Sequence, residues 1–398
     1  MQKTIDPIAL ARAQLAFDRT IDATAPGLFA VKRARMSASA FAFLRGSAPL
    51  FYRLLRDLPA LGRGPGGRAW LTGDLHVQNF GAYRTDDASS GDTRVVFGPN
   101  DFDEACIGPV RLDLLRFAVS WLLSLDERGV GASTRVASCR ALIEGWVEGA
   151  FGGRVQAREP ASVRRLVAQV QARTKQSMHR AYTRGSAGKR ALQRDLRLWP
   201  VSRALVGRVE DAFAGYAARA SHRYGADLEH FEVLDVARRV AGTGSLGVQR
   251  FAVLARGGVH GEWLFDLKEE APRSASALAA GGLAGAARVV RGIETSAPAP
   301  PRMLGTTRLV TARGATLSML VRRLSPQEDK LDPSEVEADE LEPLARHVGW
   351  LAGRMHRRGA IGTLGRAWPA AERTALLERA ITLVGIHEAA YLAYVSMA

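Results

Sequence analysis

Cysteine is nearly missing from this chain. Cys106 and Cys139 are the only two in 398 residues, they stand at no metal-ligand spacing, and they exclude a disulfide framework or a cysteine-based zinc site. So little cysteine fits a reducing compartment, and a cytoplasmic location is the expectation. No run of about 18 apolar residues occurs, and the opening MQKTIDPIALARAQ has no apolar core of a signal peptide, so no membrane association is expected. Lysine is scarce too: six of the 55 basic residues are lysine and the rest arginine. Lysine in a motif is therefore informative here. Apolar residues make up 47%, enough for a large core, and the length suggests two or three domains or lobes.

The net charge of +15 is concentrated. Residues 152–208 hold fourteen Arg and Lys against Glu159 and Asp195. Such a block is either a solvated helical face or a footprint for an anionic partner, nucleic acid or another polyanion. Few aromatics accompany it, Tyr182 and Trp199, which weakens the nucleic-acid reading because little is present to stack bases.

Periodicity divides the chain into three stretches. Apolar spacing predicts a helix over Ser37–Leu58, a Gly-Pro-rich loop at 62–67, and two short strands, Ala69–Thr72 and Thr93–Phe97, forming a hairpin. Pro109 to about Tyr224 reads as helical, with breaks near Gly152 and Gly185. From Asp235 the signal turns to β: Val236–Val240, Phe251–Leu254 and Trp263–Leu267 predict an antiparallel sheet. A helix over 274–294, a Pro-rich linker Ala297–Pro301 and strands at 307–312 and 316–323 follow, then helices over Pro333–Arg358 and from Ala370 onward. The class is α+β, with a helical lobe over 1–230, a β-rich lobe over 231–325 and closing helices over 326–398.

Two acidic motifs carry chemistry. Gly73-Asp74-Leu75-His76-Val77-Gln78-Asn79 places a carboxylate and an amide five positions apart, the spacing between the base Asp and the metal-binding Asn of a kinase catalytic loop. Asn100-Asp101-Phe102-Asp103-Glu104-Ala105 supplies a second carboxylate, Asp101, for Mg²⁺; Asp103 stands where an Asp-Phe-Gly element has glycine. The alternative is a capped turn at Asp74 and a helix cap at Asp101–Glu104. His76 is either catalytic or, closer to the strand end, a brace for the loop.

Gly242-Thr243-Gly244-Ser245-Leu246-Gly247 is weak evidence alone, because the pattern suits both a Rossmann site and a kinase phosphate lid. It runs into the apolar Val248–Leu254, a strand rather than a helix, and that favours the lid. The next strand carries Phe265-Asp266-Leu267-Lys268, resembling the kinase Val-Ala-Ile-Lys segment whose Lys contacts the α and β phosphates. No helix-borne Glu partner for Lys268 is evident.

These motifs resemble the aminoglycoside phosphotransferase branch of the kinase-like superfamily: Gly73, Asp74, His76 and Asn79 match one motif, Asp101, Phe102 and Ala105 another, and Gly108–Leu114 a third. The resemblance implies that Asp113 braces the catalytic loop. Together with Ser39–Gly46 and Val321–Leu324, they also resemble an uncharacterised bacterial family, domain of unknown function 2252. The glycine loop follows the acidic motifs instead of preceding them, and Leu344–Met355 with His356 looks like the helix that normally precedes the catalytic loop. One circular permutation, cut between that helix and the loop, restores kinase order. The resemblance thus implies a two-lobed kinase-like fold, ATP and Mg²⁺ as cofactors, Asp74 as base, Asn79 and Asp101 on the metal, Lys268 and Gly242–Gly247 on phosphate, and an unidentified acceptor. The alternatives are a nucleotide-binding pseudokinase, a nucleotidyl transferase, or a polyanion-binding module using residues 152–208.

Overall fold

The computed structural model describes residues 5–85, 94–152, 159–224, 231–244, 246–257, 261–270, 283–301 and 303–397. Asp6 accepts the Ile8 N–H at 2.9 Å with Pro7 in the first turn, which starts α1 (Pro7–Arg19). After α2 (Leu28–Met36), Ser39 accepts the Ala42 N–H at 3.0 Å and caps α3 (Ala40–Gly46). A second helix, α4 (Ala48–Asp57), follows directly. The one helix expected over Ser37–Leu58 is therefore two. Pro49, which has no N–H to offer, sits just past the break, and the Ser47 hydroxyl donates instead to the Phe43 carbonyl at 2.7 Å.

Four strands come next: β1 (Arg68–Leu71), β2 (Phe80–Arg84), β3 (Val95–Pro99) and β4 (Cys106–Pro109). The expected hairpin does not form. β1 pairs with β4, Leu71 opposite Cys106, while β3 pairs with β2, Phe80 opposite Pro99. Phe80–Arg84 offers β3 a partner nearer in sequence, and sequential strands pair preferentially. The core helix α5 (Val110–Asp126) is buried at every residue from Leu112 to Leu125, as expected of a helix apolar on all sides. α6 (Ala132–Phe151) packs beside it.

The stretch expected to be helical to Tyr224 contains α7 (Ala161–Gln171), α8 (Lys175–Tyr182) and α9 (Arg203–Tyr224), but also three two-residue strands, β5 (Thr183–Arg184), β6 (Ala191–Leu192) and β7 (Leu198–Trp199). The β-rich region then adds β8 (Glu232–Arg239), β9 (Arg250–Gly257), β10 (Gly261–Glu269), α10 (Gly285–Ser296), β11 (Gly305–Val310) and β12 (Thr316–Arg323). Its antiparallel sheet runs β11-β12-β10-β9-β8-β7, so the edge strand comes from upstream of residue 231, and α9 covers one face. Period-two alternation sorts β10. Trp263, Phe265 and Leu267 pack in the cluster that includes α9, while Asp266 and Lys268 face a cavity on the other side. Of the helix expected over 274–294, residues 274–282 lie outside the described residues.

β13 (Glu328–Lys330) joins β2 and β3 in a three-stranded sheet. Short 3₁₀ turns replace the first part of the helix expected from Pro333, and α11 (Leu341–Arg358) and α12 (Ala370–Ser396) complete the chain. α11 crosses α6 at backbone contact. A Cβ on Gly145 or Gly149 would fall against the Arg346 or Trp350 carbonyl, and one on Gly349 or Gly353 against the Leu142 or Trp146 carbonyl. The chain leaving α11 lies along β1: Trp70 N–H donates to the Gly359 carbonyl at 2.8 Å and Ile361 N–H to the Arg68 carbonyl at 2.9 Å. On α12 the residues Leu376, Ala380, Leu383, His387, Ala390 and Tyr394 form a buried seam at alternating spacings of four and three.

Two outcomes follow from this packing. Gly349→Val is expected to cost several kcal/mol, on the order of 3 kcal/mol or more, read as a lowered denaturant midpoint. The second concerns buried neutral histidines. Burial pushes His387, stacked on Phe51 at 5.8 Å, down to about 3, and His347 down to about 4. The unfolded chain takes up these protons near the ordinary value of 6.5, whereas the folded chain does not. Stability is full above that value and falls as pH drops toward 4 and then 3, by on the order of 1.4 kcal/mol per pH unit per histidine. His387→Phe should flatten the fall; an unchanged pH slope would contradict it.

Candidate active site

The turn after β1 is built around one buried carboxylate. Asp113, on the first turn of α5, accepts the N–H groups of Thr72 (2.7 Å) and Gly73 (3.0 Å) and the Thr72 hydroxyl (3.1 Å). His356 Nε2, from the end of α11, lies 3.2 Å from the same carboxylate. Trp146 Nε1 donates to His356 Nδ1 at 2.9 Å, so Nδ1 is the acceptor and Nε2–H the donor toward Asp113. Three helices thus converge on the residue that precedes Asp74.

Asp74 emerges from that turn, its side chain 20% exposed, and accepts from Arg116 Nε at 2.6 Å. Arg116 is fully buried, lies over the Phe51 ring at 4.9 Å and donates to the Leu44 carbonyl at 2.8 Å. Burial raises the Asp74 carboxyl above its ordinary range, and Arg116 offsets this only in part. The sequence reading missed Arg116, although its place one turn after Asp113 on the same helix was the available signal. Next in the loop, Asn79 Oδ1 accepts the His76 N–H at 2.6 Å, and Asn79 is buried and lines neither cavity described below. His76 is buried edge-on to Phe41. Burial, with Arg45, Lys330 and Arg116 nearby, pushes its imidazole well below the ordinary value and keeps it neutral.

The second acidic motif meets the sheet. Lys268 pairs with Asp103 and, at 3.4 Å, with Glu270. The partner that sequence left unassigned is thus carried by the loop and the strand end. α10 contributes a cation instead: Arg288 donates to the carbonyls of Ala105 and, at 2.9 Å, Asp103. Asp101, about one-third exposed, lies 3.9 Å from Lys330 on β13. Burial opposes ionisation of Asp101, but Lys330 and Lys268 hold its carboxyl below the usual range. Lys330 went unnoticed in the sequence, where the scarcity of lysine could have marked it.

The glycine loop spans the gap between β8 and β9, with positive φ at Gly242 (73°) and Gly247 (103°). Ser245 lies outside the described residues. The loop rests on the N-terminal helices: the Arg35 guanidinium donates to the Gly242 carbonyl at 2.7 Å and the Thr24 hydroxyl to the Gly247 carbonyl at 2.6 Å. Its middle reaches the turn that carries Asp74, since a Cβ on Gly244 would stand 4.0 Å from Asp74 Oδ2.

Two cavities meet under this loop. The first, about 400 Å³, is lined by Asp74, His76, Arg45, Thr72, Thr243 and Gly244 among others. The second, about 430 Å³, holds Lys268, Asp266, Arg250 and Arg322 beside apolar Met178, Leu320 and Leu324. Asp101, Asp103, Gly242 and Lys330 line both. Over residues 24–396 the chain matches a family described as uncharacterized proteins conserved in bacteria (DUF2252). It belongs to that family. No curated protein and no solved structure matches it.

Elsewhere in this DUF2252 protein, much of the basic charge of residues 152–208 is already engaged. Arg165 pairs with Glu340, Arg173 with Asp329, Arg190 with Glu262 and Arg194 with Asp235, all carboxylates from outside the segment, and Arg197 pairs with Asp195. These pairs tie the segment to β8, β10 and β13 and reduce its pull on an external anion. Among the described residues no helix is long and apolar enough to cross a membrane. The Asp113 network has a direct test. Asp113→Ala strands several buried donors, each worth about 1–3 kcal/mol, so chemical denaturation should show a loss of about 3 kcal/mol or more, against about 1 kcal/mol for Thr72→Val.

Proposed function

We propose that this DUF2252 protein is an ATP- and Mg²⁺-dependent phosphotransferase with a circularly permuted, two-lobed kinase-like fold. The observation that carries the reading is convergence: the glycine loop, Lys268 and both acidic motifs, far apart in sequence, surround two joined cavities, with Gly244 over Asp74. The end of α11 running along β1 supports the permutation, because a chain rejoined there would pass from that helix into the catalytic turn in kinase order.

The roles follow from position. Lys268, in the second cavity, meets phosphate oxygens, and the apolar residues there face the base. In the first cavity the acceptor hydroxyl stands at Asp74. Its oxygen forms a bond to the γ phosphorus while the bond from that phosphorus to the β–γ bridging oxygen breaks; the electron pair leaves with ADP, and the acceptor proton passes to Asp74. A carboxylate raised by burial is a better proton acceptor than a surface one. The donor set suits Mg²⁺ arriving with the nucleotide: among the described residues no three acidic, His or Cys side chains could hold a metal alone, and Mg²⁺ commonly takes one or two carboxylates plus phosphates and water. Asp101 would hold it; Asn79, whose oxygen accepts the His76 N–H and which lines neither cavity, would shape the loop beside it. When bound, the ion neutralises phosphate charge.

A second reading rests on the same charges. Lys268 is already paired with Asp103 and Glu270, and Asp74 with Arg116, an arrangement that also suits holding a nucleotide without transferring phosphate, or transferring AMP. Both readings predict stabilisation by Mg·ATP, about 2.7 kcal/mol at a hundredfold excess over Kd, lost in Lys268→Ala and Asp101→Ala. Labelled ATP separates them. Phosphotransfer labels cell metabolites or proteins from the γ position, AMP transfer from the α position, and a pseudokinase from neither. Label transfer surviving in Asp101→Ala would sink the assignment.

A further inference from the structure

Arg45, in the Ser39–Gly46 segment, is not used by the chemistry above, yet it lines the first cavity. The other charged side chains there are engaged: Lys32 with Asp18 at 2.7 Å, Asp74 with Arg116, Asp103 with Lys268, Asp101 with Lys330, and Glu104 likewise. Arg45 has no ion-pair partner among the described residues. Its guanidinium lies over the Phe41 ring at 5.7 Å, and its Nε is buried without a hydrogen-bond partner. In the same cavity, His76 is 4% exposed. Phe17, Ile21, Ala48 and Pro49 add apolar lining.

Asp74, Asp101 and Glu127 act on Arg45 without pairing with it, and the planar fork of a guanidinium matches a carboxylate or phosphate through two parallel hydrogen bonds. Arg45 does not line the cavity that holds Lys268; it stands on the Asp74 side. We propose that the acceptor is a small hydroxylated anion, a hydroxy acid or a phosphorylated alcohol, whose anionic group is held by Arg45 while its hydroxyl faces Asp74. This rests on the phosphotransfer reading for the role of Asp74, but the anion site itself does not require it. A cavity of about 400 Å³ admits a metabolite of that size.

Calorimetric titration without nucleotide tests the site with four probes: D-glycerate, glycerol 3-phosphate, glycerol and the polycation kanamycin. The wild type should bind at least one anion about tenfold or more tighter than glycerol or kanamycin; which anion binds better identifies the carboxylate or the phosphate as the group read. Arg45→Gln should lose that preference and Arg45→Lys retain part of it, with Mg·ATP stabilisation and the denaturant midpoint of both variants close to wild type. Four results would overturn the inference: no anion preference, binding unchanged in Arg45→Gln, anion binding lost in Lys268→Ala instead, or Mg·ATP stabilisation lost with Arg45. Arg45-dependent anion binding in a protein that Mg·ATP fails to stabilise would remove the phosphotransfer reading and leave the anion site standing.

Discussion

Asp113 holds together parts of the chain that share little else. Its carboxylate is closed off from water and takes donors from the turn after β1 on one side and from His356 on the other, with Trp146 fixing the histidine tautomer. An unpaired carboxylate in that position would be prohibitively costly, so α5, the turn and the end of α11 must be assembled together or not at all. The glycine-to-carbonyl crossing of α6 and α11 sets the depth at which His356 arrives. The direction of Asp74 is therefore inherited from helix packing more than from its own loop.

The sheet side follows the same rule with opposite emphasis. Asp266 is buried beside Arg250 (2.6 Å), Arg239 (2.8 Å) and Arg322 (3.7 Å); burial opposes its charge, yet the three guanidiniums hold its carboxyl far below the usual range. The cluster stiffens the strands that present Lys268 two residues later, and the excess positive charge faces a cavity. With Lys268 tied to Asp103 and Arg288 gripping the carbonyls of the same loop, the sheet and the acidic motif form one electrostatic unit. The carboxylate that meets Lys268 of β10 sits on the loop, and α10 brings a cation, Arg288, to that loop's carbonyls.

How much of this was legible depends on whether the signal was local. Strands β8 to β10, the strand pair β11–β12 and the long closing helices announce themselves by periodicity, and the motif spacings around Asp74, Asp101 and Lys268 are local patterns too. The Ala69–Thr72 and Thr93–Phe97 hairpin was misread because apolar runs carry no label for their partner; register and pairing are settled by competition among all available strands. β5, β6 and β7 were missed because two-residue strands have no periodicity. Arg116 and Lys330 left a local trace, the helix spacing from Asp113 and the scarcity of lysine, whereas Arg288 enters from an element remote in sequence, and a long-range hydrogen bond to a carbonyl leaves no trace in spacing.

The amino-acid sequence by itself determined the α+β class, the absence of a cysteine framework, and the identities of the acidic and glycine-rich motifs, since propensity, composition and short spacing are properties of neighbouring residues. The tertiary structure alone decided which of those motifs share a cavity, which carboxylate faces Lys268, and which cation is left without a partner. Those outcomes depend on burial, and burial is a property of the whole packed chain: a charge becomes costly, and so informative, only once the fold has removed its water and either supplied a partner or left the place empty.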